Sequence, residues 1–196
     1  MIIELKAGNT NTYLIPIKGG YILFDTPWAG TFTEFCKAIG QVNVSASDIK
    51  YVFVSHFHPD HMGIAQNIAD LGATIVVLDV QKDYIHWADK VFEKDKRTGF
   101  IPIDDTKVKL VEVSKSRSFL KMIGAEGEVI HTPGHTDDSI SLKLDSGELF
   151  VGDLNPLYEL ELHKGTAIHD SWDKLLSLHP MIVYYGHARA YEIYTE

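Results

Sequence analysis

Residues 56–61 read His-Phe-His-Pro-Asp-His, so four side chains able to ligate a metal fall within six positions. Imidazole and carboxylate at this density suit zinc, and also iron, manganese or nickel. A single histidine is more often a packed or solvated residue than a ligand. Three histidines and an aspartate in one short run are different, because crowding them at a strand end is costly unless an ion offsets the lost hydration. Three further stretches repeat the pattern of an apolar run that stops at a ligand-type residue. His135 lies in His131-Thr132-Pro133-Gly134-His135-Thr136, after Val129-Ile130. Asp153 follows Leu149-Phe150-Val151-Gly152, and His187 follows Ile182-Val183-Tyr184-Tyr185-Gly186. The set is five His and two Asp, enough for two metal ions with neither saturated, which leaves room for a water.

The elements that position these residues are short and apolar. Tyr51-Val52-Phe53-Val54 has the composition of a buried strand, and Pro59, Asp60 and Gly63 stop it and start a turn. Ligands at the ends of such strands are in the usual place for a site in an open α/β sheet. The pattern predicts strands over 12–17 and 21–25, joined as a hairpin by Lys18-Gly19-Gly20. It predicts a helix over 30–39, strand 50–54, a helix over 64–71 closed by Gly72, strand 74–78 and a helix over 80–92. Strands follow over 107–111, 128–131, 140–144 and 149–151, then a helix over 170–178 and strand 182–185. There is no repeat, low-complexity tract or linker, so residues 1–196 are expected to form a single domain.

The ordered set His-x-His-x-Asp-His, then His, Asp and His, resembles the metallo-β-lactamase superfamily over most of the chain, from Asp25 to His187. The resemblance implies an α/β fold, the four-layer αββα sandwich, with a dinuclear site at one edge. It implies that His56, His58 and His135 hold the first metal. Asp60, His61 and His187 then hold the second, and Asp153 is shared between them. Asp25, in Leu23-Phe24-Asp25-Thr26, matches the family's early strand-end aspartate that braces the metal loop from behind the ligands. Its local context fits a turn or helix N-cap equally well.

His58 stands where the iron, oxygen-reducing branch carries Glu, and Asp153 is a residue that the true β-lactamase branches lack. The chain therefore looks more like the glyoxalase II, lactonase and phosphodiesterase-like branches. The sequence runs nine residues past His187, so the helical glutathione-binding region of glyoxalase II is expected to be absent. Asp137-Asp138-Ser139 replace the small residues usual after His-Thr and change the charge beside the site.

What the resemblance implies chemically is a metal-dependent hydrolase. A metal-bridging hydroxide would attack a small ester, thioester or lactone, with Asp60 and Asp153 as the catalytic carboxylates. The alternatives are a phosphodiesterase of the same fold, or a metal-binding or sensor protein without turnover. The expected cofactor is two divalent metal ions per chain, zinc first and iron or manganese next. Trp28, Phe57 and Tyr158, with Met62 and Leu157, follow the ligand strands and are candidates to line a substrate pocket.

Composition agrees with a folded hydrolase of a small molecule. The chain has 196 residues, 45% hydrophobic and 11% aromatic, enough for a sizeable core. Its formal charge of −9 disfavours nucleic acid, and the basic residues Lys94, Lys96, Arg97, Lys115 and Arg117 read as a solvated face. No apolar run approaches the roughly 20 residues that span a bilayer, so no membrane partner is expected. The start, Met1-Ile2-Ile3-Glu4-Leu5, lacks the features of a secretory signal. A single cysteine, Cys36, suits a reducing cytoplasm and reads as a core thiol on a helix. A homo-oligomer is left open.

Overall fold

The protein is described by a computed structural model, over residues 1–94 and 96–193. Two mixed sheets carry the fold. The first has the order β1 (Ile3–Lys6), β2 (Asn11–Ile17), β3 (Gly20–Phe24), β4 (Ile49–Phe53), β5 (Thr74–Leu78) and β6 (Val108–Val111). Its first three strands are antiparallel neighbours, and β3 to β6 run parallel. The second has the order β11 (Tyr191–Glu192), β10 (Ile182–Tyr184), β9 (Glu148–Phe150), β8 (Ile140–Leu144) and β7 (Gly127–His131). Here β9 and β10 are parallel and the other neighbouring pairs antiparallel.

Side chains alternate across a strand, and that alternation builds the layers. Tyr13, Ile15, Phe24, Phe53, Val76 and Leu78 of the first sheet meet Val129, Ile140, Leu142 and Phe150 of the second in one core. The intervening residues Leu14, Leu23, Val52, Ile75 and Val77 point the other way. They pack on Phe35 and Ile39 of α1 (Phe32–Gln41), on Met62 of α2 (Pro59–Met62), and on Ala65, Ile68 and Ala69 of α3 (Ala65–Ala69). Phe92 of α4 (Asp89–Phe92) closes that layer. On the far face of the second sheet, Leu149, Val151 and Val183 pack against Trp172 and Leu175 of α6 (Ala167–Leu176). The result is the αββα arrangement, and β3, β4, β7, β9 and β10 all lead into the loops that carry site residues.

The chain departs from the sequence-based expectation in three places. The helix expected over 80–92 is a 3-10 turn (Asp79–Tyr84) followed by the single turn α4. Fully buried Gln81 explains the break: its Nε2 donates to Val54 O at 2.9 Å, and its Oε1 accepts from Leu78 N at 3.2 Å. A continuous helix would leave those buried backbone groups of the sheet unpaired. Residues 116–123, where the sequence suggested no helix, form α5 (Ser116–Ile123), with Lys115 before it and Arg117 on it both exposed as expected. Ser116, Leu120 and Ile123 are its buried stripe, and Gly124 ends it in the left-handed region at φ +92. The edge strands β1 and β11 were also unforeseen, being too short for a periodic signal.

Candidate metal centre

The six-stranded half supplies four of the seven ligand-type residues. Strand β3 ends at Asp25, which is fully buried and sits at φ +61, a left-handed conformation that aspartate tolerates better than most residues. Its Oδ1 accepts from Ser55 N at 2.6 Å and its Oδ2 from Ser55 Oγ at 2.9 Å. The same Oδ2 lies 2.9 Å from His61 Nδ1, which leaves His61 Nε2 facing the other ligands. One carboxylate thus ties the end of β3, the loop after β4 and the helix α2 together. Pro59 opens that helix at a position where its fixed φ is already helical. Thr26 N donates to His61 O at 2.8 Å, so the turn is held from both ends.

The five-stranded half supplies His135, Asp153 and His187 from loops after β7, β9 and β10. Two glycines permit the approach of the halves. A Cβ on Gly152, which has φ +57, would lie 2.3 Å from Ser55 Oγ. A Cβ on Gly186 would lie 2.6 Å from Asp153 Oδ1 and 2.7 Å from His61 Cε1.

Asn9 and the first residues of β2 clip the halves together, and sequence reasoning missed them. Thr10 Oγ1 donates to Asp60 O at 2.7 Å. Asn9 O lies 3.0 Å from His187 Nδ1. Asn11 donates from its backbone N to Gly186 O at 2.7 Å, and from Nδ2 to Tyr185 O at 3.0 Å and Ala188 O at 2.8 Å. Tyr13 OH donates to Tyr185 O at 2.7 Å. Asn9-Thr10-Asn11 alone carries only a turn signal.

The predicted ligands converge. His56, His58 and His135 form one group, Asp60, His61 and His187 a second, and His56, His61 and Asp153 a third, with ligand atoms in each group within 4.8 Å of one another. His58 Nδ1 is 3.1 Å from His135 Nε2, and His61 Nε2 is 3.3 Å from His187 Nε2. The Asp153 carboxylate reaches both sides. Its Oδ1 is 3.2 Å from His61 Nε2, and its Oδ2 is 3.4 Å from His187 Nε2 and 3.7 Å from His135 Nε2.

Electrostatics separates the groups. Burial, then the neighbouring His61, holds His56 well below the usual histidine range. Burial, then His135, lowers His58, so both are neutral imidazoles with a free lone pair. Burial would also lower His61, but the Asp25 and Asp153 carboxylates outweigh it and raise it to about 10. Hydrogen bonds from its ring to the Asp153 and Asp60 carboxylates raise His187 to about 11. Burial would raise Asp153, yet His187 and His61 hold it far below the ordinary carboxylate range. The carboxylates Asp25, Asp60 and Asp153 thus make the second group a place where positive charge is favoured. The fit to a metal shows in His56 Nε2, which is buried among the ligand-type groups and has no hydrogen-bond partner among the described residues. Buried polar atoms in folded proteins are nearly always satisfied, and a cation would satisfy this lone pair.

The flanking residues are distributed unevenly. Phe57 is buried beside His58 and lines a recess with Tyr84, Trp87, Thr136 and Asp138. Tyr158 is exposed and lines a second recess with Asn155, His135, Asp153 and His187. Trp28 packs edge-on against Phe92, with ring centroids 5.1 Å apart, and lines neither recess. Asp138 is buried, and its Oδ2 accepts from Phe57 N at 2.9 Å. It joins the loop carrying His135 to the loop carrying His58, whereas Asp137 is exposed.

The model of the metallo-beta-lactamase superfamily matches residues 5–187. A Beta-lactamase-like protein 2 homolog of Caenorhabditis elegans is 32% identical over 188 residues, covering 91% of this chain and 55% of that protein. An atrochrysone carboxyl ACP thioesterase of Aspergillus aculeatus is 27% identical over 146 residues, covering 74% of this chain and 39% of that protein. The chain thus spans about half or less of these curated relatives. A metallo-beta-lactamase family protein of Thermus thermophilus superposes with a TM-score of 0.71 at 18% identity, over 97% of this chain and 74% of that one. That likeness shows the fold. No helix among the described residues is long and apolar enough to cross a membrane.

Proposed function

This chain belongs to the metallo-beta-lactamase superfamily, and on that premise we propose that it is a dinuclear, metal-dependent hydrolase of small esters, thioesters or lactones. The observation that carries the reading is the Asp153 carboxylate, whose oxygens lie within 3.2–3.7 Å of ligand nitrogens from both His/Asp groups. In this reading His56, His58 and His135 hold the first ion, Asp60, His61 and His187 the second, and Asp153 is common to both. Zinc suits imidazole-rich coordination best, with iron or manganese as alternatives. Bound there, divalent ions lower the pKa of water toward 7 and polarise a carbonyl oxygen.

The chain's own residues orient that chemistry. Asp25 fixes the ring of His61, and the carbonyl of Asn9 fixes that of His187, so each presents Nε2 to the site. Asp60 and Asp153 supply the negative charge that two cations require, and Asp60 also orients the attacking water. The fungal relative, named as a thioesterase, supports a thioester among the carbonyl substrates. Elemental analysis of zinc-loaded protein is expected to approach two equivalents per chain. Turnover of matched thioesters and lactones is expected to exceed that of an aryl phosphodiester by tenfold or more in kcat/KM, about 1.4 kcal/mol of transition-state stabilisation. A value near one equivalent removes the dinuclear reading, and the reverse preference assigns phosphodiester chemistry.

A further inference from the structure

Two recesses touch the metal ligands, and their chemistry differs. The smaller, a half-open recess of about 130 Å³ with Trp87 on its exposed side, is lined by Phe57, His58, Tyr84, Trp87, Thr136 and Asp138. Four of these six residues carry rings. His58, a ligand candidate, is also a wall, its ring tilted 35° to that of Trp87 with centroids 5.1 Å apart. A group bound in this slot therefore lies against the ligand itself. The larger, about 380 Å³, is of mixed character: His135, Asp153, Asn155 and His187 line it together with Leu154 and Pro156.

The walls of the small slot select against charge. Its lining includes no Lys or Arg, and its one carboxylate, Asp138, is engaged by the backbone N–H of Phe57. An anionic group there would be desolvated without a counter-charge and next to Asp138. A neutral apolar group would instead exchange water for aromatic surface. A dry cavity of about 150 Å³ holds a benzene-sized guest, so the slot takes a phenyl ring or a chain of roughly four carbons.

We infer that this slot is the acyl subsite: it selects substrates whose acyl group is short, neutral and apolar, and the larger recess receives the leaving group. The assignment rests on the hydrolase reading above and adds to it the chemical class of the acyl group. Trp87 is its specificity-determining residue. It stands on the segment that the Gln81 contacts break into short turns, and those turns bring Tyr84 and Trp87 to the ligand loop.

The test uses zinc-loaded full-length protein and a series of p-nitrothiophenyl esters with one leaving group and varied acyl groups. From acetyl to butyryl, two methylenes longer, kcat/KM is expected to rise by about fifteenfold, near fourfold per buried methylene, and phenylacetyl should equal butyryl. Succinyl, of butyryl length but anionic, should fall about tenfold below butyryl, because its carboxylate lacks a partner in the slot. Trp87→Ala should reduce the butyryl-to-acetyl ratio below about threefold, while Trp87→Phe keeps most of it. A binding measurement runs beside the kinetics and needs no turnover. Phenylacetamide should change tryptophan fluorescence saturably in the wild type and not in Trp87→Phe, which retains Trp28 and Trp172. Turnover with a flat acyl series and no saturable phenylacetamide signal overturns the subsite and leaves the hydrolase reading standing. Saturable, Trp87-dependent binding without turnover of any ester keeps the slot as an apolar binding site but overturns its acyl role together with the hydrolase reading. Absence of both removes both.

Discussion

Two candidate ligands of the six-stranded half, His56 and His61, and two of the five-stranded half, His135 and His187, are held in different ways. His56 and His61 are at most 1% exposed, and Asp25 and Ser55 fix them through contacts of 2.6–3.0 Å within β3, the β4 loop and α2. The side chains of His135 and His187 are 34% and 38% exposed, and both stand on loops. His187 is steadied through Asn9, Asn11 and Tyr13, contributed by the other half. The first half presents a prearranged cradle, and the second closes over it and depends on the clip for its position. Ligands built on packed elements are held more tightly than ligands on loops, so the two halves should respond unequally to substitution.

The most damaging change should fall on the residue that touches both groups. Asp153→Ala is expected to lower kcat/KM by about a thousandfold or more and to cut the metal content from two equivalents to one, since two neighbouring cations lose their shared counter-charge. Far-ultraviolet circular dichroism should be unchanged, because Asp153 contributes nothing to the inter-sheet core. Two equivalents retained at full turnover would erase the distinction between a shared carboxylate and a peripheral one.

A second substitution probes the cradle. Asp25→Asn removes the charge and one of the acceptors that serve Ser55 N, Ser55 Oγ and His61 Nδ1 in a fully buried setting. Metal affinity should weaken by about 10–100-fold, as it does when a residue orienting a ligand is lost. Stability in urea should drop by about 1–3 kcal/mol, the scale of a buried group left unsatisfied. A loss of affinity without any loss of stability would mean that the cradle is not prearranged by folding.

Asn11→Ala addresses the clip and should act on one side only. It deletes the two side-chain bonds to Tyr185 O and Ala188 O, worth about 1 kcal/mol each. Binding of the second equivalent should weaken by about tenfold, while the first, on His56, His58 and His135, is unchanged in a calorimetric titration. Equal weakening of both would show that the halves move as one unit.

The smallest effect belongs to the surface. Arg117 pairs with Asp145 and Glu128 at 2.9 Å, all partly solvated, so Arg117→Ala should cost at most about 1 kcal/mol and leave metal binding untouched. A change in metal content there would mean that the site senses charge well beyond its own loops.

Much of this protein was legible in the residues themselves. The apolar runs ending in His or Asp and the Gly and Pro punctuation placed most strands, and the order His-x-His-x-Asp-His, His, Asp, His implied the layered fold through its resemblance to a known family. They also named the seven side chains that converge. These signals are local: a strand pattern needs only its own residues, and a metal ligand is chosen for its chemistry, whatever its neighbours. The helix α5 was equally local, with buried residues at 116, 120 and 123 before Gly124, but only its exposed charges entered the reading.

Other features came only from the folded chain. Asp25 fits a turn or a brace until its carboxylate is seen 2.9 Å from His61 Nδ1. Asp138 reads as a charge beside the site until Phe57 N is found against it, 81 positions away in sequence. Gln81 breaks an otherwise helical pattern because the carbonyl of Val54, just past the end of the central strand β4, needs a donor. The contact of Asn9 with His187 joins residues 178 positions apart. In each case a polar group takes its role from a partner that packing delivers. A buried donor or acceptor must be satisfied by whatever lies beside it in space, and sequence order carries no record of that neighbour.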